Sequence, residues 1–213
     1  MAATTAHVDA HDAHAHEVPY EQQVRANRLG LWLFCFSEIF LFGALFASRF
    51  VLWGNTRPEL SQVIGLIATS VLLLSSFFMY RAEMGAANGD RTKFLRSALA
   101  AAGLGTLFFI MVVVLEWNVF GLKGELFGIE LFGHLTTADG VYGGIFFAMT
   151  GMHALHVLTG VALILIIWWN GRKGMYTPER HWGVEATAIY WHFVDVVWVF
   201  FYPALYLMGR VVG

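Results

Sequence analysis

The run from Glu185 to Met208, EATAIYWHFVDVVWVFFYPALYLM, limits what this chain can become more than any other stretch. About 20 apolar residues, rising about 1.5 Å each, cross the hydrocarbon of a bilayer, and this run is that long. It nevertheless carries Glu185, His192 and Asp195, which lipid does not tolerate unpaired. At about 100° per residue, Glu185 and His192 fall on nearly one line, with Asp195 about 60° round from them. A polar stripe on an apolar helix has to face protein, so the rest of the chain must supply its neighbours. Composition points the same way. The 213 residues are 58% hydrophobic and 13% charged, where soluble domains have about 45–50% and 25%. The length allows about five spans with short connections in one bundle. The expected class is all-α: a polytopic membrane protein built as a bundle of five transmembrane helices.

The spans are expected at about 26–53, 60–81, 97–117, 139–169 and 184–208, with a charged loop from Arg81 to Arg96 between the second and third. Asp139 is a plausible N-cap for the fourth. Residues 118–138 read as a polar loop with some apolar residues, Leu126, Phe127, Leu131 and Phe132. Residues 1–25 are small, polar and rich in histidine, and read as a disordered tail. His7, His11, His14 and His16 could bind a transition metal, although a solvated tail is the plainer reading. The tail has no apolar segment of the secretory type. Cys35 lies inside a span, which leaves no disulfide framework. A net charge of −2 argues against a nucleic-acid partner.

Positive charge sets the expected topology. A cytoplasmic N-terminus places Arg25, Arg28, Arg81, Arg91, Lys93, Arg96, Arg172, Lys173 and Arg180 inside, and only Arg49, Arg57, Lys123 and Arg210 outside. Nine against four is a clear positive-inside bias, and it puts the C-terminus on the outer side. Small residues four apart (Ala98 and Ala102, Ala101 and Gly105, Gly144 and Ala148) let helix backbones approach closely.

Polar groups within the spans are the candidate functional residues. Glu38 lies well inside the first span, where an unpaired carboxylate is costly, so it carries a proton or is hydrogen-bonded to a neighbour. That suits a proton-handling acid and equally a structural one. His153 and His156 sit three residues apart on the fourth span, about 60° apart round the helix. They cannot take opposite sides of one haem, and a transmembrane dihaem site needs ligands on facing helices. A buried polar cluster with Glu185, His192 and Asp195 is the expected arrangement, with no metal. Glu116, beside Trp117, reads as an ordinary interfacial residue. The chain has no nucleotide fingerprint, haem-attachment motif or nucleophile–base arrangement.

Three stretches, SEIFLFGALFASRF, DGVYGGIFFAMTGMHALHVLTG and EATAIYWHFVDVVWVFFYPALYL, resemble subunit III of haem-copper respiratory oxidases in order and spacing, and the likeness runs from about residue 26 to the end. The resemblance implies helices III–VII of a seven-helix fold, in the five-helix bacterial form. It implies a subunit that binds no haem or copper itself, packs on subunit I and with subunit II, stabilises subunit I and supports proton uptake in a proton-pumping terminal oxidase. Glu38 matches the family's buried carboxylic acid. His153, His156, Glu185, His192 and Asp195 match its motif positions, as do Gly143, Gly144 and Gly151, taken as helix-packing glycines. In the long form two further helices wall a lipid-filled cleft; this chain has only its tail there, so those lipid sites do not carry over intact. Phospholipid stays a possible ligand, and further small subunits or a respiratory supercomplex are possible partners. The implied location is the bacterial inner membrane. Cytochrome c is the expected electron donor, with a quinol oxidase or the accessory subunit of a nitric oxide reductase as alternatives. From other classes, a transmembrane haem electron carrier and a secondary transporter using Glu38 are also weighed; the transporter would call for an inverted repeat, which the chain does not display.

Overall fold

The computed structural model describes residues 19–121, 124–126, 129–130, 133 and 135–211. His7, His11, His14 and His16, and loop residues Phe127, Leu131 and Phe132, lie outside them. Five helices are long and apolar enough to cross a membrane: α1 (Tyr20–Trp53), α2 (Gln62–Ala87), α3 (Arg91–Ile110), α4 (Gly140–Arg172) and α5 (Trp182–Tyr202). Two-residue strands β1 (Thr56–Arg57) and β4 (Arg210–Val211) pair in parallel, and β2 (Glu125–Leu126) pairs antiparallel with β3 (Ile129–Glu130). The proximal end of the bundle is where α1, α3 and α5 begin. The distal end is where α2 and α4 begin.

The helices overrun the apolar stretches that announce them. α1 starts at Tyr20, so the expected tail gives up its last residues to helix. The expected loop from Arg81 to Arg96 shrinks to a turn at Asn88–Asp90, because RAEMGAA consists mostly of good helix formers and extends α2 beyond its apolar part. Gly89, at φ +72°, makes that turn, and the Asp90 carboxylate caps α3 by accepting from Lys93 N–H at 2.9 Å. Asp139 does not cap α4. Its carboxylate accepts from the amide and hydroxyl of Thr136, and these bonds hold its carboxyl below the usual range.

Two helices widen before they stop. α3 continues as a π-helical segment, Met111–Glu116, and α5 as another, Pro203–Leu207. Trp117 N–H donates to the Val112 carbonyl at 2.9 Å and Met208 N–H to that of Pro203 at 3.0 Å, both five residues back. Pro203 has no N–H to continue the α pattern. Both segments lie at the distal end.

α2, α3, α4 and α5 form the packed core, and α1 lies against α4 and α5. Only 11% of the most apolar window of α1 is buried, against 56% for α5, so α1 shows most of its surface to whatever surrounds the bundle. Glycines set the closest approaches. Trp191 of α5 is buried between Gly105 of α3 and Gly160 of α4, and a Cβ at either glycine would lie 2.6 Å from its ring. Gly171 of α4 faces the Phe94 ring, and Gly85 of α2 faces the Phe94 backbone on α3, each leaving no room for a Cβ. The glycines singled out from sequence do less than this. Gly143 accommodates the Thr136 carbonyl, a loop contact; Gly144 has open space where a Cβ would go; and Gly151 has only the Trp117 ring at 3.9 Å. Helix–helix packing therefore falls to Gly85, Gly105, Gly160 and Gly171.

Candidate functional site: buried polar pairs

The polar residues expected in one cluster are divided among separate partners. Glu38 of α1 meets His156 of α4, with Oε2 3.2 Å from Nε2. His156 Nδ1 lies 2.8 Å from the Met152 carbonyl, which can only accept, so Nδ1 carries a hydrogen. Two arrangements satisfy the other contact. Either the protonated Glu38 donates to the Nε2 lone pair, or an imidazolium donates to the Glu38 carboxylate. In both, one proton is shared between the two side chains. Phe42 covers the imidazole edge-on at 4.8 Å, and Tyr190 donates its hydroxyl hydrogen to the His156 carbonyl at 3.2 Å.

His192 has a different partner, Ser76 of α2, whose hydroxyl lies 2.6 Å from His192 Nδ1, while Asp195, one turn on along α5, is buried with its Oδ1 unpartnered. His153 is fully buried, its Nε2 donating to the Val194 carbonyl at 3.1 Å and its ring packed among Phe108, Trp198 and Phe201. Its Nδ1 is unpartnered. Glu185 does not belong with these residues. It pairs with Arg28 at 2.5 Å at the proximal end, about 10 Å along α5 from His192 at 1.5 Å per residue. The angle round one helix was right, but depth separates the stripe.

Sequence reading passed over two distal groups. Glu116 is not an ordinary interfacial residue. It is 7% exposed and accepts a hydrogen bond from the Tyr206 hydroxyl, joining the two π-helical segments, while its Oε1 has no partner. Beside it, Gly133 N–H donates to the Leu115 carbonyl at 2.7 Å. Tyr206→Phe leaves the second carboxyl oxygen unpaired as well, at a cost of about 1–3 kcal/mol. A lowered thermal midpoint in detergent is the expected reading, and an unchanged one counts against the pair.

The other group is Arg49, fully buried near the end of α1. Its guanidinium donates to the carbonyls of Ala204 (2.6 Å), Gly54 (3.0 Å), Thr56 (3.3 Å) and Met208 (2.5 Å), with Phe50 and Trp53 rings at 5.1 and 5.0 Å.

Between α1 and α5 runs an apolar groove of about 770 Å³, bordered by Trp32, Phe36, Ile189, His192 and Phe193, with a second hollow of about 330 Å³ beyond Ile39. The imidazoles fit a metal or haem poorly. His156 has both ring nitrogens engaged, and His192 Nδ1 is held by Ser76. Among the described residues no group of three or more His, Cys, Asp or Glu side chains is placed to hold a metal ion. What the arrangement can do is hold helices in register through shared protons.

Residues 10–210 match the protein family described as cytochrome c oxidase subunit III. Cytochrome c oxidase subunit 3 of Thermostichus vulcanus is 32% identical over 204 residues, 92% of this chain and 92% of that one. The same subunit of Papio hamadryas is 32% identical over 207 residues, 91% of this chain and 73% of its own length. That of Bos mutus grunniens is 31% identical, covering 91% and 74%.

Proposed function

This chain belongs to the cytochrome c oxidase subunit III family, and from that premise we propose how it serves its oxidase. It is a subunit III of a haem-copper oxidase, one part of a multi-subunit respiratory complex, and the nitric oxide reductase, electron-carrier and transporter readings are not favoured. The chain itself is non-catalytic and holds neither haem nor copper; the engaged histidine nitrogens support this. Haem and copper chemistry belongs to the partner subunits. Its main contact is subunit I, with subunit II and possible further subunits or a supercomplex beyond. The exposed face of α1 and the groove beside α5 are where neighbour or phospholipid would lie. Cytochrome c is the donor, in keeping with the names of the relatives. The location is the bacterial inner membrane, with the N-terminus cytoplasmic by the positive-inside count.

The observation that carries the functional reading is the Glu38–His156 pair, a proton shared inside the membrane between α1 and α4. We assign to it a role in stabilising subunit I and keeping proton uptake fast. Glu38→Gln separates this from packing. A glutamine amide still donates to the His156 ring but cannot release a proton. The expected result is a complex that assembles normally but loses activity severalfold faster during turnover. If initial rate and persistence both match wild type, Glu38 is structural glue and the proton role falls.

A further inference from the structure

At the proximal end, most cations of the described residues are already engaged. Arg28 pairs with Glu185, and Arg91 donates to the carbonyls of Gly171 and Arg172 at 3.2 and 2.5 Å. Arg172 lies over Trp168, Lys173 over Trp169 and Arg180 over Tyr20. Apart from Arg25 on α1, three remain without a hydrogen-bond, ion-pair or ring partner: Arg81, Lys93 and Arg96. These three line one concavity of about 270 Å³ together with Asp90, Thr92 and Ser97. Asp90 opposes them with a single negative charge, leaving a formal excess of two positive charges.

What lies above the concavity is apolar and open. Arg81 continues along its face of α2 into Phe77 and Leu74, four and seven residues back, which are 53% and 47% exposed. Arg96 continues along α3 into Leu99, 50% exposed, and then Gly103, where a Cβ would meet nothing within 4 Å. A basic hollow at the end of a membrane span, opening onto an exposed apolar strip, matches one kind of molecule. It is negative at one end and hydrocarbon along the rest.

We propose that the α2–α3 turn binds the headgroup of an anionic phospholipid, its acyl chains lying along the Phe77–Leu74 and Leu99–Gly103 strip. Arg81, Lys93 and Arg96 hold the phosphate, and Thr92 offers it a hydroxyl. The site lies on helices other than those bordering the α1–α5 groove, and it depends only on the chain spanning a membrane. An acidic segment of another protein would need the basic hollow but would have no use for the strip. Free phosphate would need neither depth nor strip.

The test uses the full chain with whatever copurifies, in nanodiscs of phosphatidylcholine containing a minor fraction of phosphatidylglycerol. Lipids retained after detergent extraction are counted by native mass spectrometry. Wild type is expected to retain phosphatidylglycerol over phosphatidylcholine, and each cation changed to glutamine to weaken that preference about fivefold, the effect of one basic residue near an anionic surface. The variants are Arg96→Gln alone and the triple Arg81→Gln, Lys93→Gln, Arg96→Gln, so a folding failure of the triple still leaves the single to be read. Phosphatidylcholine retention should not change. Three results overturn the proposal: equal phosphatidylglycerol retention in variant and wild type, displacement of the lipid by inorganic phosphate alone, or loss of a companion protein with the lipid count unchanged.

Discussion

Arg49→Met is expected to be among the most damaging single changes in this chain, lowering stability by about 3 kcal/mol or more, since several hydrogen bonds to a charged group are worth about 1.5–3 kcal/mol each and do not add fully. Methionine fills much of the same space but leaves the carbonyls of Ala204, Gly54, Thr56 and Met208 without their donor. Those carbonyls belong to the turn after α1 and to the C-terminal π-helical segment, so the loss unpins both. Thermal unfolding in detergent reads the effect. Arg49→Lys is the informative companion, because one ammonium carries at most three hydrogens in a compact head and cannot span four acceptors set round a planar fork. It should recover only a minor part of the loss. Full recovery by lysine would mean that charge alone, without the fork, holds this corner.

Trp191→Ala should cost a comparable amount, about 3–5 kcal/mol for emptying a buried indole site. The site resists collapse because two of its walls are glycine backbone, Gly105 on one side and Gly160 on the other. The reverse change is as harmful for the opposite reason. A Cβ at Gly160 would lie 2.6 Å from the ring, and Gly160→Leu forces α4 away from α5 altogether. Thermal midpoints of the two variants check this, and a double variant supplies the stricter reading. If Gly160→Leu restores part of what Trp191→Ala loses, the leucine occupies the vacated space and the clamp is real. Simple addition of the two losses would show that the residues do not share one site.

How much of this was readable beforehand depends on what each signal measures. Hydropathy reports the length of chain that lipid can surround, and each stretch it marks coincides with one of the five long helices. It does not report where a helix stops, which is why RAEMGAA, charged but helix-forming, looked like a loop. Angular spacing placed Glu185, His192 and Asp195 on one side of α5, correctly, yet angle says nothing of which helix faces that side at each depth. The partners Arg28 and Ser76 come from α1 and α2, and nothing in the sequence of α5 names them. Glu116 and Arg49 escape a sequence reading for a shared reason. Both stand near span ends, where water is the ordinary neighbour, and their partners come from the C-terminal segment: Tyr206 for Glu116, Ala204 and Met208 for Arg49. The glycine of a packing contact is likewise invisible without its opposite number. Gly105 and Gly160 mean little until Trp191 is between them.

Three polar contacts hold α1 to the bundle along its length: Arg28 with Glu185, Glu38 with His156, and Arg49 with the C-terminal carbonyls. They are spaced by about 15 Å, at 1.5 Å per residue. Hydrocarbon gives apolar side chains no reason to prefer protein over lipid, so these rivets, more than greasy contact, decide how far up or down α1 sits. Between the rivets the seam is only partly filled: Phe42 packs against His156, Phe193 and Phe201, while an apolar groove stays open beside Trp32, Phe36 and Phe193. Polar contacts thus fix the height of α1, and its apolar contacts leave room for a hydrocarbon-sized filling without a change of register.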